Sequence, residues 1–164
     1  LIAFYLKSDL SKNKISLFVA GKLHDSEHVR KIKDLCRNKN GIHLLDYVSE
    51  LEKSWLYLHS LMLVSTSSFE GFGIPVLDAI TINLPVLASD IPSYRELKKS
   101  CPKDRKIKLL KLNEESNWVK ELNYAKKMVK TKMGVLDRIN SFEIYSEIYS
   151  KKLGNKIKKI INSR

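Results

Sequence analysis

The sequence predicts an α/β fold, namely a three-layer, Rossmann-like domain in which helices cover both faces of a parallel sheet. Short apolar runs alternate along the chain with longer segments whose apolar residues recur at helical spacing. This alternation is typical of repeated strand–helix–strand units, which build parallel sheets. The length of 164 residues suits one domain, and an apolar fraction of 43% is enough for an ordinary core. We therefore expect residues 1–164 to form a single domain.

The predicted strands are short apolar runs at residues 15–20, 42–45, 61–65, 85–88 and 107–112. The predicted helices cover residues 1–10, 26–37, 49–59, 74–82, 93–99, 115–130 and 141–161. Ser26 is a candidate N-cap, and Ser49 and Glu52 stand at the spacing of a capping box. Pro75 lies in a first helical turn, where proline is tolerated. Ligands of parallel sheets bind beyond the carboxyl ends of the strands, so we expect the loops after the first four strands to line the site.

The segment after the third predicted strand, residues 65–75, is the strongest candidate for a binding site. Gly71 and Gly73 let the backbone approach a ligand closely, and the helix that follows presents free N–H groups and its positive dipole end. A diphosphate suits this position, while the carboxylate of Glu70 accepts hydrogen bonds from sugar hydroxyls. Asp78, about one turn into the helix, can reach a second diol such as a ribose. The pattern favours a nucleoside diphosphate sugar, although both carboxylates can instead simply complement the helix N-terminus.

Residues 69–79 resemble the donor-site signature of the family-4 glycosyltransferases, in which two glutamates separated by seven residues flank an EGFG-x-P core. Residues 84–92 resemble the G-x-PV-x-x-SD segment that follows the signature, and Glu96 matches the acidic residue beyond it. The resemblance extends over most of the chain, through residues 17–21, 42–49 and 141–143. It implies the C-terminal, donor-binding half of a GT-B glycosyltransferase that retains the anomeric configuration.

The resemblance also implies a reaction for the parent enzyme. It is expected to move a hexose from a nucleoside diphosphate sugar, most often a UDP sugar, to a saccharide or lipid-linked acceptor. The expected products are bacterial surface polysaccharides such as O-antigen, lipopolysaccharide or capsule. The sequence offers no Asp-x-Asp metal motif, so no metal and no other cofactor is expected. The alternative is a noncatalytic nucleotide-sugar-binding or interaction module derived from this fold.

The same resemblance implies roles for individual residues. Glu70 is expected to act in catalysis by contacting the hydroxyls of the donor sugar, and Asp78 is expected to hold the ribose hydroxyls. The backbone of Gly71, Phe72 and Gly73 is expected to meet the sugar and the phosphates. The other predicted contacts are Val76 and Leu77 on the turn facing the nucleoside, Tyr47 and Val48 at the base, and Gly21 and Lys22 near the nucleotide. Lys22 can touch phosphate or remain a solvated lysine.

Three positions depart from the family pattern. Asp78 replaces a glutamate and shortens the reach by one methylene, so the ribose contact is expected to use a water or a small helix shift. Asn83 replaces a glycine, but asparagine tolerates a left-handed turn better than most residues do. Asp46 stands where the family often has glycine, which alters the expected shape of the base pocket.

Two parts of the family pattern lie outside these 164 residues. One is a Gly-Arg…Lys-Gly segment whose Arg and Lys clamp the diphosphate, and the other is the N-terminal acceptor domain. The chain starts without an initiator Met, at Leu1, within a helical pattern. We therefore expect a truncated piece that is inactive alone and has the acceptor domain as its partner.

The net charge of +12 is concentrated towards the C-terminus, where residues 103–164 carry 17 Lys and Arg against 7 Asp and Glu. Residues 141–164 are predicted to form a basic amphipathic helix that lies on an acidic membrane or, by a slight preference, packs against the acceptor domain. The charge can equally belong to a solvated face. Nucleic acid is not an expected partner, because no aromatic–basic motif of a known module accompanies the charge.

The remaining polar and aromatic residues are expected to have ordinary roles. Cys36 and Cys101 are predicted to be reduced thiols, and the serines at residues 65–68 lack the G-x-S-x-G pattern of a nucleophile elbow. Without a signal peptide or an apolar run of roughly 20 residues, the chain is expected in the cytoplasm, with at most peripheral membrane contact. Packing in the core or between helices is expected for Trp55, Tyr57, Trp118, Tyr145 and Tyr149.

Overall fold

The computed structural model describes residues 1–21 and 27–128, in which helices and parallel strands alternate. The helices are α1 (Ile2–Lys7), α2 (Glu27–Cys36), α3 (Glu50–His59), α4 (Ile74–Thr81), α5 (Pro92–Ser100) and α6 (Glu115–Met128). The strands are β1 (Leu17–Ala20), β2 (Ile42–Leu45), β3 (Leu63–Ser65), β4 (Val86–Ser89) and β5 (Ile107–Leu110). The predicted alternation of strands and helices is confirmed. Ser26, the helix predicted at 141–161 and the tail at 141–164 lie outside the described residues.

The strands form two hydrogen-bonded groups, and every pair within them is parallel. In one group β1 pairs with β2, and in the other β4 lies between β3 and β5. The sequence predicted one parallel sheet. The structure keeps the parallel direction but shows no single ladder through the described strands. The two groups are joined by packing, since Leu17 and Ile42 of the first group contact the same buried cluster as Val64 and Leu87 of the second.

Alternation along β4 explains the three layers. Val86 and Ala88 face a core cluster made with α4 and α5, while Leu87 faces a second cluster made with α1 and α6. All four residues of β4 are buried, as expected for a central parallel strand covered on both faces. Trp118 of α6 is fully buried in the second cluster, which confirms its predicted place in the core.

Several predicted helices and strands extended beyond the observed ones. The first helix ends at Lys7 rather than at residue 10, because the hydroxyl of the buried Ser8 donates to the Tyr5 carbonyl at 2.7 Å and accepts from the Leu10 N–H at 3.3 Å. Such local side-chain bonds compete with continued helix formation. A short 3₁₀ turn, Ser11–Asn13, follows. At the end of α4, Asn83 takes a left-handed conformation with φ of 55°, so the prediction made for this position is confirmed.

The predicted capping box at the start of α3 is confirmed. The Ser49 hydroxyl accepts from the Glu52 backbone N–H at 3.3 Å, and the Glu52 carboxylate accepts from the Ser49 N–H at 2.8 Å. The Ser49 hydroxyl also donates to the Glu52 carboxylate, and these bonds hold the pKa of Glu52 below its ordinary value. Within the described ranges, no helix has the length and apolar character needed to cross a bilayer.

Replacing the cap should destabilise the domain measurably. We expect Ser49→Ala to lower the free energy of unfolding by about 1 kcal/mol, because it leaves the Glu52 N–H without its acceptor. The matched control is Ser54→Ala, at an exposed position inside the same helix, where alanine is the better helix former. Urea unfolding followed by circular dichroism gives both values. Equal stability of the two variants would contradict the capping argument.

Candidate functional site

The carboxyl ends of β3 and β4 meet at the candidate site, as parallel strands require. The fully buried Ser89, at the end of β4, donates its hydroxyl proton to the carbonyl oxygen of Ser67 in the loop after β3. At the other strand group, the N–H of Gly21 donates to the carbonyl of Asp46 at 3.3 Å. The loops after β1 and β2 therefore also lie together. The sequence predicted both pairs of loops to line one edge.

Gly73 defines the start of α4. Its φ of 81° lies in the left-handed region, and it serves as the N-cap of the helix. The ring of Tyr94 packs against its α-carbon, since a β-carbon placed at Gly73 would lie 2.5 Å from Tyr94 Cε1. Pro75 has no N–H, so the amides available to a ligand are those of the loop and of Ile74. A helix start with free amides is a type of position at which anions often bind, so the binding role predicted for it stays a prediction.

The α5 helix that carries Tyr94 is tied to the end of β4. Asp90 accepts two hydrogen bonds from the guanidinium of Arg95, one at 2.6 Å from Nε and one at 2.9 Å from Nη2. These bonds hold the pKa of the Asp90 carboxyl below its ordinary value. Because such paired bonds restrict orientation as well as distance, the first turn of α5 is held against the strand end. Tyr94 lies within this turn and is 1% exposed.

Glu70 lies beside the glycine loop with one of its carboxylate oxygens engaged. The hydroxyl of Ser67 donates to Glu70 Oε1 at 2.8 Å, and the residue is half-buried. Gly71 and Phe72, the next two residues, are exposed. The structure thus brings together the carboxylate, the exposed loop backbone and the start of α4, as the sequence predicted for Glu70 to Gly73.

Asp78 is partly exposed on α4 and is paired with a lysine from α3. The Nζ of Lys53 lies 3.5 Å from Asp78 Oδ2 and 2.7 Å from Glu50 Oε2. The bond to Glu50, followed by the field of Asp78, raises the pKa of Lys53. The hydroxyl of Tyr57 donates to the carbonyl of Pro75 at 3.1 Å, which joins α3 to the first turn of α4.

A shallow cavity of about 400 Å³ lies next to the predicted base-binding residues. Tyr47, which is 78% exposed, and Val48 contribute to its wall. Trp55 also lines it, is 58% exposed and stacks on His59 with ring centroids 4.2 Å apart. The predicted core or helix-packing position of Trp55 is therefore wrong, because the residue lies on the solvent side of α3. A larger, more open depression of about 670 Å³ beside α6 contains none of the predicted site residues.

Other predicted contacts are placed as follows. Val76 is fully buried in the core, so only its backbone can meet a ligand, and Leu77 is half-buried against the same cluster. Gly21 is exposed after β1, whereas Lys22 lies outside the described residues. Sequence reasoning missed Lys53, because its contact with Asp78 joins two separate helices and leaves no local pattern. It also missed the hydrogen bond from Ser67 to Glu70, although the two residues are only three positions apart in one loop. In the part of the chain that is described, no cluster of three or more His, Cys, Asp or Glu side chains is arranged for a metal ion.

The architecture places the chain in the GT-B class of glycosyltransferase folds. It matches the pneumococcal O-GlcNAc transferase GtfA, solved in complex with UDP and GlcNAc, with a TM-score of 0.62. The match covers 99% of this chain and 33% of GtfA at 18% sequence identity, which establishes the fold alone. Residues 3–101 match the family described as glycosyl transferases group 1. The chain belongs to that family.

Curated relatives include enzymes of glycan assembly. The O-antigen chain mannosyltransferase RfbU of Salmonella typhimurium is 42% identical over 59 residues, which are 36% of this chain and 17% of that protein. The O-antigen biosynthesis glycosyltransferase WclY of Escherichia coli is 26% identical over 116 residues, which are 71% of this chain and 31% of that protein. The chain thus spans less than a third of the length of these relatives.

The close contact at Gly73 predicts a sharp difference between the two loop glycines. Gly73→Ala should lower the free energy of unfolding by more than about 1–2 kcal/mol, because the left-handed conformation is strained for alanine and Tyr94 must also move. Gly71→Ala is the matched control, since its β-carbon would meet nothing within 4 Å, and it should stay within about 0.5 kcal/mol of wild type. Urea unfolding measures both. Similar losses in the two variants would contradict the packing described for Gly73.

A pH dependence follows from Tyr57. Burial, and then the charges of Asp78 and Glu50, raise the pKa of its phenol well above the ordinary value. A raised pKa in the folded state stabilises the fold at low pH, and this contribution is lost as pH rises above about 10, the pKa in the unfolded chain. We expect the free energy of unfolding to fall more steeply above pH 10 in wild type than in Tyr57→Phe. Tyr124→Phe, which alters an exposed phenol on α6, should keep the wild-type slope.

Proposed function

We propose that this chain binds the donor of a retaining glycosyltransferase. In the parent reaction, a hexose moves from a nucleoside diphosphate sugar, with UDP as the first candidate nucleotide, to a saccharide or lipid-linked acceptor. The setting is bacterial surface polysaccharide synthesis on the cytoplasmic side of the membrane. The observation that carries the proposal is the half-buried Glu70 carboxylate beside an exposed glycine loop at the start of α4, with Asp78 on the next turn.

The two ends of this arrangement suit the two ends of such a donor. The loop amides and the helix dipole favour an anionic diphosphate at the start of α4. Glu70 can accept hydrogen bonds from sugar hydroxyls, since among the described residues Ser67 donates to one of its two carboxylate oxygens and each oxygen has two lone pairs. Asp78 retains exposed surface for a ribose, and Lys53 offsets part of its charge, which reduces its repulsion of the phosphates.

The relatives support the class of reaction. RfbU is named an O-antigen chain mannosyltransferase, and GtfA was solved with UDP and GlcNAc, so the family includes hexose transfer in polysaccharide synthesis and its fold accepts a nucleotide. The departing diphosphate is proposed to be stabilised by N–H groups and positive charge, without a metal. The basic clamp expected from the family-4 pattern is not among these 164 residues. The chain is therefore proposed to bind the donor but not to transfer the sugar by itself.

Nucleotide titration tests the proposal directly. We expect UDP-glucose, GDP-mannose or ADP-glucose to shift the amide NMR signals of Gly71 and Gly73 at millimolar concentration or below. Asp78→Ala should weaken the binding of nucleotides and of sugar nucleotides alike by about tenfold, which corresponds to the loss of one charge-assisted hydrogen bond. Asp34→Asn, which removes an exposed carboxylate on α2, should bind as wild type does.

Three results would count against the proposal. If none of the three sugar nucleotides shifts the NMR signals near Gly71 and Gly73, the proposed donor site is contradicted. Shifts confined to the larger depression beside α6 would place binding elsewhere. Hydrolysis or transfer of the donor sugar by the 164 residues alone would overturn the proposed division between binding and catalysis.

A further inference from the structure

Glu70 lies at the end of a row of three hydroxyl groups that starts in the core. The hydroxyl of Tyr94 lies 2.7 Å from Ser65 Oγ, which lies 3.4 Å from Ser67 Oγ, which lies 2.8 Å from Glu70 Oε1. We call Tyr94, Ser65 and Ser67 the hydroxyl row. It joins α5, the last residue of β3 and the loop before α4. Neither the family signature nor the periodicity of the sequence singles out these three residues together.

The direction of each hydrogen bond in the row is determined by counting protons. A carboxylate can only accept, so the Ser67 proton is used on Glu70. Ser67 must then accept from Ser65, whose proton is used in its turn. The Tyr94 hydroxyl is left as the donor to Ser65. All three protons therefore point towards the carboxylate, and each bond strengthens the next one by polarisation.

The far end of the row is held rigidly. Tyr94 is 1% exposed, and its ring packs against the α-carbon of Gly73. The loop end is held as well, because the carbonyl of Ser67 accepts the hydroxyl proton of Ser89. A carboxylate that is only half-buried would otherwise exchange among rotamers, since the side chain of glutamate has three rotatable bonds.

We propose that Tyr94, acting through Ser65 and Ser67, is a positioning residue for Glu70 and thereby sets the affinity for the sugar part of the donor. The proposal rests on the donor-binding function given above. A nucleoside diphosphate without its hexose offers Glu70 no donor sugar to contact, so the row affects only the binding of ligands that carry the hexose. The 3.4 Å contact between Ser65 and Ser67 is the weakest hydrogen bond of the row. Removing the Ser67 hydroxyl should therefore reduce the affinity for the sugar nucleotide more than removing the Tyr94 hydroxyl does.

The test compares two dissociation constants for each variant, one for UDP-glucose or GDP-mannose and one for the matching UDP or GDP. We expect Ser67→Ala to raise the dissociation constant of the sugar nucleotide about tenfold. Ser65→Ala and Tyr94→Phe should each raise it about threefold, and the dissociation constant of the nucleotide alone should not change. Tyr94→Phe keeps the ring against Gly73, so the helix start is preserved. Ser67→Thr, which retains a hydroxyl, should restore most of the sugar-nucleotide affinity. Ser68→Ala, at an exposed serine of the same loop, is the control and should leave both constants unchanged.

Each result has one consequence. An equal loss for the sugar nucleotide and the nucleotide would show that Tyr94 only supports the fold, and would overturn the positioning role. Unchanged constants in all three variants would overturn it as well, while wild-type binding would leave the donor-binding function intact. A wild-type chain that binds neither ligand would overturn the donor-binding function, and the positioning role would fall with it.

Discussion

The contact between the Tyr94 ring and the α-carbon of Gly73 is the constraint on which the site depends. Only a residue without a β-carbon fits under the ring, and the left-handed φ of 81° at this position starts α4. The hydroxyl of the same tyrosine reaches Ser65, the last residue of β3. One buried side chain therefore contacts both the end of β3 and the start of α4.

The rest of the fold holds that side chain in place. Tyr94 belongs to the core cluster that Val86 and Ala88 of β4 form with α4 and α5. The opposite face of β4 is covered by α1 and α6, where Lys126 pairs with Asp9 at 2.9 Å and lowers the pKa of that carboxyl. Because β4 is buried on both faces, packing on each side restricts the position of its carboxyl end.

Local sequence patterns predicted much of this arrangement, whereas the features that depend on long-range contacts could not be predicted. The capping box at Ser49, the left-handed turn at Asn83 and the glycine at the start of α4 follow from a few neighbouring residues, so the sequence was sufficient for them. The contact from Tyr94 to Ser65 spans 29 positions and leaves no periodic signal. Trp55 was misplaced for a related reason, since an aromatic residue on a helix does not reveal which side of the helix meets solvent.

The two carboxylates of the proposed site have different partners, a neutral hydroxyl at Glu70 and a charged lysine at Asp78. This difference suits them to different parts of one ligand. Glu70 accepts a hydrogen bond from a neutral donor, the Ser67 hydroxyl, and lies beside the exposed glycine loop. Asp78 is held by the charge of Lys53 on α3, the helix that also carries the wall of the cavity at Trp55. The α4 start then suits the phosphates and α3 the nucleoside, and the Tyr57 bond to Pro75 keeps the two helices in register.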